Sequence, residues 1–236
     1  ITSIIFTIYL DFFKKRLEQL KEDYLIKVLK PSIEKRFKEG KYNPKKGLDE
    51  SYFEGNKVIP LHDLYRSRHL VRGFISKYPF KASYVRVEML TEKFKRLERN
   101  VIFEGKAIDI EFTLPFKYDS ECLHPKDATR KNRKKRIDVV EFYEDYIIDG
   151  IEESKVKEMY SEPVFNAIKT LIKKHRHVAI HLYYNHMVVL INDGRDLIDL
   201  GSGKQINEEI YNRVDELFTD IEALVSAIET SKSMFA

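Results

Sequence analysis

The sequence predicts an α+β fold: an antiparallel sheet with a long N-terminal helix, a middle helix and a C-terminal helix. Two observations predict it. Strand-like segments are concentrated between residues 70 and 200, and several are joined by hairpin-type turns. Helical periodicity brackets that block at both ends, the arrangement of an α+β chain rather than of a doubly wound parallel sheet.

The N-terminal helix rests on Phe13, Leu17, Leu20, Tyr24 and Val28, which recur at spacings of three and four, with Ile33 and Phe37 continuing the stripe. Pro31 kinks it or starts a new segment, and Gly40 is a stop signal. Asn43-Pro44, Gly47 and Gly55-Asn56 mark residues 40–56 as a loop, and a short helix is expected after Pro60 through Leu61, Leu64 and Tyr65. Residues 70–78 read as a strand ended by Pro79. A second strand holds Tyr84, Val85, Val87 and Met89. A third covers 101–103 and 107–112, with a bulge at Gly105. Within it Ile108, Ile110 and Phe112 alternate with Asp109 and Glu111, a period of two that gives one buried and one wet face.

Residues 137–143 and 146–148 are further strand. The middle helix starts near Ser154 and passes Pro163, which divides it or leaves it whole, to reach Phe165, Ile168 and Ile172. Residues 178–192 form a hairpin around Asn185-His186, and Asp193-Gly194 turns into a third run at 197–200. Residues 206–230 close the chain as an amphipathic helix carrying Ile210, Val214, Leu217, Ile221, Leu224, Val225 and Ile228 on one face. The expected organisation is a helix and stalk over 1–39 and a single α+β domain over 40–236.

The composition, 43% hydrophobic and 34% charged with a net charge of +4, is that of a globular chain, and the charge does not by itself imply a nucleic-acid partner. The single cysteine, Cys122, cannot form an internal disulfide, which fits a reducing compartment, and it reads as an inert thiol in a loop. With Ile1 in place of Met, the chain reads as a fragment or a processed product.

Residues 1–10 carry no charge and are followed by Asp11, Phe12, Phe13, Lys14, Lys15 and Arg16. A bilayer takes about 20 apolar residues, so this segment is expected to be the end of a longer span, with aromatic and basic residues at its cytoplasmic edge. Ile4, Ile5, Phe6, Ile8, Tyr9, Leu10, Phe12 and Phe13 are the expected membrane contacts. A buried helix of a soluble domain is the competing reading.

Four other constellations carry chemistry in principle. Lys126, Arg130, Lys131, Arg133, Lys134, Lys135 and Arg136 face one acid, Asp127, in an inter-strand loop. That cluster suits an anionic partner, either lipid headgroups or nucleic-acid phosphates, or is simply solvated. No aromatic residues are interleaved with it for base stacking. His175, His177, His181 and His186 are close in sequence, but convergent zinc ligation is not implied by their spacing. Gly201-Ser202-Gly203-Lys204 lacks the spacing of a phosphate loop. Glu141, Glu144, Asp145, Asp149, Glu152 and Glu153 form an acidic stretch in which no acid–base pair is legible. No catalytic residue, cofactor or metal is expected. An interaction or scaffold domain is the leading function, with a nucleic-acid-binding protein or a hydrolase with an unrecognised site as alternatives.

Several stretches resemble an uncharacterised bacterial family, domain of unknown function 3137. They are Asp63-Leu64-Tyr65-Arg66-Ser67 leading to Val71-Arg72-Gly73, then Ile102-Phe103-Glu104-Gly105, and then Val139 and Phe142 through Tyr146 to Pro163-Val164-Phe165. The hairpin before the C-terminal helix is the last of them. The resemblance covers most of residues 20–230. It implies hydrophobic N-terminal spans that anchor a cytoplasmic α+β domain, an unknown function, and no catalytic residues to carry over. The expected location is the cytoplasmic side of the bacterial inner membrane, with a protein partner there as a further expectation.

Overall fold

The computed structural model describes residues 12–13, 15–17, 19–51, 53, 59, 62–93, 96–123, 139–143, 146–175, 177–198 and 209–236. Among these residues nine antiparallel strands form one sheet: β1 (Lys38–Asn43), β2 (Leu64–Ile75), β3 (Tyr78–Lys93), β4 (Arg96–Glu111), β5 (Ser120–Leu123), β6 (Val139–Tyr143), β7 (Tyr146–Asp149), β8 (Val178–Tyr183) and β9 (His186–Ile191). Their order across the sheet is β1-β2-β3-β4-β9-β8-β5-β7-β6. Around it lie helices α1 (Lys30–Arg36), α2 (Glu153–Met159), α3 (Glu162–Lys174) and α4 (Glu209–Thr230). Among the described residues the α+β expectation holds, with the three expected helical regions flanking an antiparallel sheet.

The two sheet faces bury different partners. One face, with Val71, Phe80, Ala82, Ile108 and Ile110, packs under the helices. Phe218 of α4 touches Phe37 and Phe80 with ring centroids 4.7 Å and 5.2 Å apart, and is fully buried. Burial of such a ring is worth about 1.5–3 kcal/mol. Arg36 clamps α4 from α1. Its Nε donates to Asp215 at 2.5 Å and its terminal nitrogens donate to both oxygens of Glu222 at 2.8 and 2.9 Å. The other face, with Val85, Val87, Phe103 and Ala107, is covered by Leu48, Phe53 and Ile59 from the segment after β1.

β4 runs unbroken through Gly105, where a bulge was expected. The irregularity between β3 and β4 falls instead between Val87 and Glu88. The glycine serves a close approach: a Cβ there would lie 1.8 Å from the Ile191 carbonyl oxygen. Pro79 does not end a strand. Ile75 pairs with Tyr78 across the tight turn Ser76-Lys77, and Pro79 sits inside β3 opposite Phe74. The helix expected after Pro60 is absent at Leu64 and Tyr65, which open β2. The long N-terminal helix stops at Arg36, and residues 38–43, expected as helix end and loop, are strand. Pro163 lies in the first turn of α3 and separates it from α2, where its missing N–H costs nothing. The run expected at 197–200 is not a strand at its described residues, because Leu197 and Ile198 form a buried turn.

Candidate membrane-facing surface

Residues 12–13, 15–17 and 19–24 are helical and lead through a π-helical turn, Leu25–Leu29, into α1. Leu25, Leu29 and Ile33, four residues apart, are buried in the main core. Upstream the burial stops. Phe12, Phe13, Leu17 and Leu20 are 64%, 55%, 40% and 50% exposed, and Ile26 and Val28 are about as open. These six form the greater part of the large apolar side chains left exposed among the described residues.

The direction of this helix follows from two contacts. Glu34 accepts a hydrogen bond from the Tyr42 N–H at 3.1 Å, and Glu22 meets Lys45 at 3.0 Å. The helix therefore runs antiparallel to β1, and its upstream turns leave the sheet at the end where β1 finishes. β3 and β4 leave at the same end. β2 pairs with β3 no further than Leu64↔Glu88, and β9 pairs with β4 no further than Ile191↔Lys106, yet β3 and β4 pair with each other out to Lys93↔Arg96.

Of the expected membrane contacts, Phe12 and Phe13 are exposed on this helix, while Ile4, Ile5, Phe6, Ile8, Tyr9 and Leu10 lie outside the described residues. The basic residues Lys126, Arg130, Lys131, Arg133, Lys134, Lys135 and Arg136 also lie outside them, as do residues 201–204. The strands flanking the basic segment are β5 and β6. No described helix is long and apolar enough to cross a membrane.

Three of the four clustered histidines go to separate carboxylates. His175 Nε2 lies 3.3 Å from Asp220, which also accepts from Lys174 at 2.6 Å. His181 Nδ1 lies 3.3 Å from Glu121, and His186 Nδ1 lies 2.9 Å from the buried Asp109. The Asp109 hydrogen bond raises the His186 pKa, whereas burial lowers that of His175. Among the described residues no three His, Cys, Asp or Glu side chains converge as a metal site. Cys122 sits in β5 rather than in a loop. Burial pushes its thiol up to about 12, far from the thiolate a nucleophile needs.

One buried polar cluster escaped the sequence. His69 sits at the β2 irregularity between Arg68 and Val71 with φ +60°, a left-handed conformation uncommon for a side-chain-bearing residue. Its Nδ1 is 2.7 Å from the Tyr42 hydroxyl, and its Nε2 is 3.5 Å from Asp196, which accepts from Arg68 at 2.7 Å. Burial depresses the His69 pKa to about 4 and raises that of Tyr42 above the usual phenol range. The ring is neutral at pH 7, and both rings are closed off from solvent. The cluster pins the segment after β9 across the sheet. Gly194 N–H donates to the Glu104 carbonyl at 2.8 Å, and Lys106 donates to Asp193 at 2.6 Å, along the same strap. The contacts from Tyr42 through His69 to Asp196 tie β1, β2 and the segment after β9 together.

No protein-family model and no curated protein matches the chain. Among solved structures, the mycobacterial trehalose monomycolate transport factor A, TtfA, is similar at 8% identity, over 79% of this chain and 88% of its own, with a TM-score of 0.43. A likeness at that level says nothing about what this chain binds.

Proposed function

We propose that the chain is a membrane-anchored interaction or scaffold domain, held at the cytoplasmic face of a bacterial inner membrane by its N-terminal helix, and that it belongs to the domain of unknown function 3137 family. The supporting observation is the apolar stripe of the N-terminal helix. It enters the core at Leu25, and upstream Leu20, Leu17, Phe13 and Phe12 are each 40% or more exposed, next to a sequence segment, 1–10, that carries no charge. A water-exposed stripe of that kind is unfavourable by roughly 25 cal/mol per Å² of apolar surface until something covers it. In this reading the 126–136 segment adds attraction to anionic headgroups, at about 1 kcal/mol per basic side chain close to the surface.

Flotation with liposomes tests it, comparing the chain with and without residues 1–13 on neutral and anionic vesicles over a salt series. Binding that needs residues 1–13 and survives high salt is expected. A chain that stays at the bottom of the gradient with every vesicle would make the helix a core or protein-contact element and end the anchored reading.

A further inference from the structure

The β3–β4 hairpin is longer than the sheet needs. Beyond Glu88 on β3 and Lys106 on β4, among the described residues, neither strand pairs with a strand on its outer side. A lone two-stranded ribbon is marginal in water. This one also exposes apolar side chains: Leu97 is 73% exposed, Val101 45% and Met89 37%. Register places Val101 opposite Glu88, Arg99 opposite Leu90, and Leu97 opposite Glu92, so Val101, Arg99 and Leu97 share one face with Glu88, Leu90 and Glu92, and Arg96 belongs to the other face with Met89. In sequence the arm carries Lys93, Lys95, Arg96 and Arg99 against Glu92, Glu98 and Glu104, and its basic excess lies in the outer stretch 93–99, which holds four of those bases and only Glu98 among the acids. An apolar stripe interleaved with carboxylates thus adjoins a stretch of sequence rich in bases.

We propose that this arm is a second membrane contact, which lays Leu97 and Val101 into the headgroup zone of an anionic bilayer while Arg96 and Arg99 meet lipid phosphates. The proposal rests on the anchored reading of the N-terminal helix. Three features select this occupant. The arm leaves the sheet at the same end as the helix, so a surface that receives one is within reach of the other. The excess charge of its outer stretch, 93–99 in the sequence, is positive, complementary to an anionic leaflet. Among the described residues its outer backbone groups lack strand partners, and only the Leu90 N–H, bonded to Asp63, and the Glu104 groups, bonded to Asn192 and Gly194, find others, so the hydrocarbon interior is excluded: every unpaired N–H and C=O there costs several kcal/mol. The headgroup zone supplies water and phosphate oxygens to those groups and still accepts the apolar side chains.

A probe on the arm tests this. Cys122 is buried, so Leu97→Cys in the full chain can be labelled selectively with an environment-sensitive fluorophore. Tyr184→Cys, at the 68% exposed turn of the β8–β9 hairpin, gives a control at the opposite end of the sheet. Adding phosphatidylglycerol-containing vesicles is expected to blue-shift the probe at 97 and leave the probe at 184 unchanged, with phosphatidylcholine vesicles giving a smaller shift. The double charge reversal R96E/R99E is expected to weaken the response roughly tenfold or more. Flotation of the same samples separates the two failures. A chain that floats with a silent probe at 97 overturns the arm contact and leaves the anchored reading standing. A chain that does not float overturns both. A shift that follows protein concentration without vesicles makes the occupant a second copy, and a shift with RNA or DNA alone makes it nucleic acid; either result overturns the proposal.

Discussion

The two ends of the sheet are finished differently. At the end holding the Ser76-Lys77 and Tyr184 turns, aromatic rings close the core. Tyr78 and Phe112 lie with ring centroids 4.5 Å apart, Phe112 and Phe116 5.2 Å, and Phe116 and Phe235 5.4 Å. Backbone bonds from Lys117 N–H to the Met234 carbonyl and from Ala236 N–H to the Pro115 carbonyl tie the last residues over that seal. At the other end the sheet is crossed by a polar strap, and beyond it the helix and the β3–β4 arm carry apolar side chains into solvent. Among the described residues, one end is closed by the chain's own rings, and the other keeps Phe12, Leu17, Leu20 and Leu97 exposed.

If that contrast is real, truncating a ring in the sealed end must be costly. Phe112 is 1% exposed and touches Tyr78, Phe116 and Phe235. Phe112→Ala is expected to lower unfolding free energy by about 3–5 kcal/mol, the usual range for a buried aromatic. Urea denaturation would measure it. A loss under 1 kcal/mol would mean that the seal is loose and that the two ends are alike.

The polar strap should respond to acid where the aromatic seal does not. His69 is held neutral, with its pKa depressed to about 4 from an ordinary 6.5. An unfolded chain therefore takes up a proton near pH 6.5 that the folded chain refuses until about pH 4. The contribution is complete above pH 6.5 and is lost as pH falls through that window, up to roughly 3 kcal/mol. His186, with a raised pKa, works in the opposite direction, so the difference from a variant isolates His69. His69→Asn suits the left-handed backbone. It is expected to be less stable at pH 7 but to lose less between pH 6.5 and 4. Parallel pH–stability curves would show that the ring does not carry this dependence.

The same contrast explains which parts of the fold were legible. Segments with one covered and one open face declared themselves: 107–112 alternates, 178–192 reads as a hairpin, and α4 shows its stripe. Segments whose surroundings are unusual did not. β1 is an edge strand of mostly polar residues, KEGKYN, and only Tyr42 is buried, so no period of two exists to read. β5 is four residues long and is defined by its neighbours β7 and β8. Leu64 and Tyr65 were assigned to a helix because the preceding Pro60 suggested a start; pairing with Val87 and Glu88 decides otherwise. The Tyr42–His69–Asp196 staple joins three distant segments and left no one-dimensional signal. Nor did the arm, because none of residues 89–92 and 96–100 is buried to impose alternation. The mixture of Lys93, Arg96, Leu97 and Arg99 was the one hint available.

The smallest expected effect on stability is the most telling for the open end. Leu97 is 73% exposed and has no core contact to lose. Leu97→Ser should therefore change unfolding free energy by no more than about 0.5 kcal/mol, as surface substitutions do. A buried leucine would cost several times that. If Leu97 is nonetheless a membrane contact, the same variant weakens vesicle binding while the denaturation curve stays put. Stability and binding then separate at this residue, whereas at Phe112 stability alone is lost. A destabilisation of 2 kcal/mol or more at Leu97 would instead mean that the arm folds back onto the protein in solution, and the open end would prove to be a second closed one.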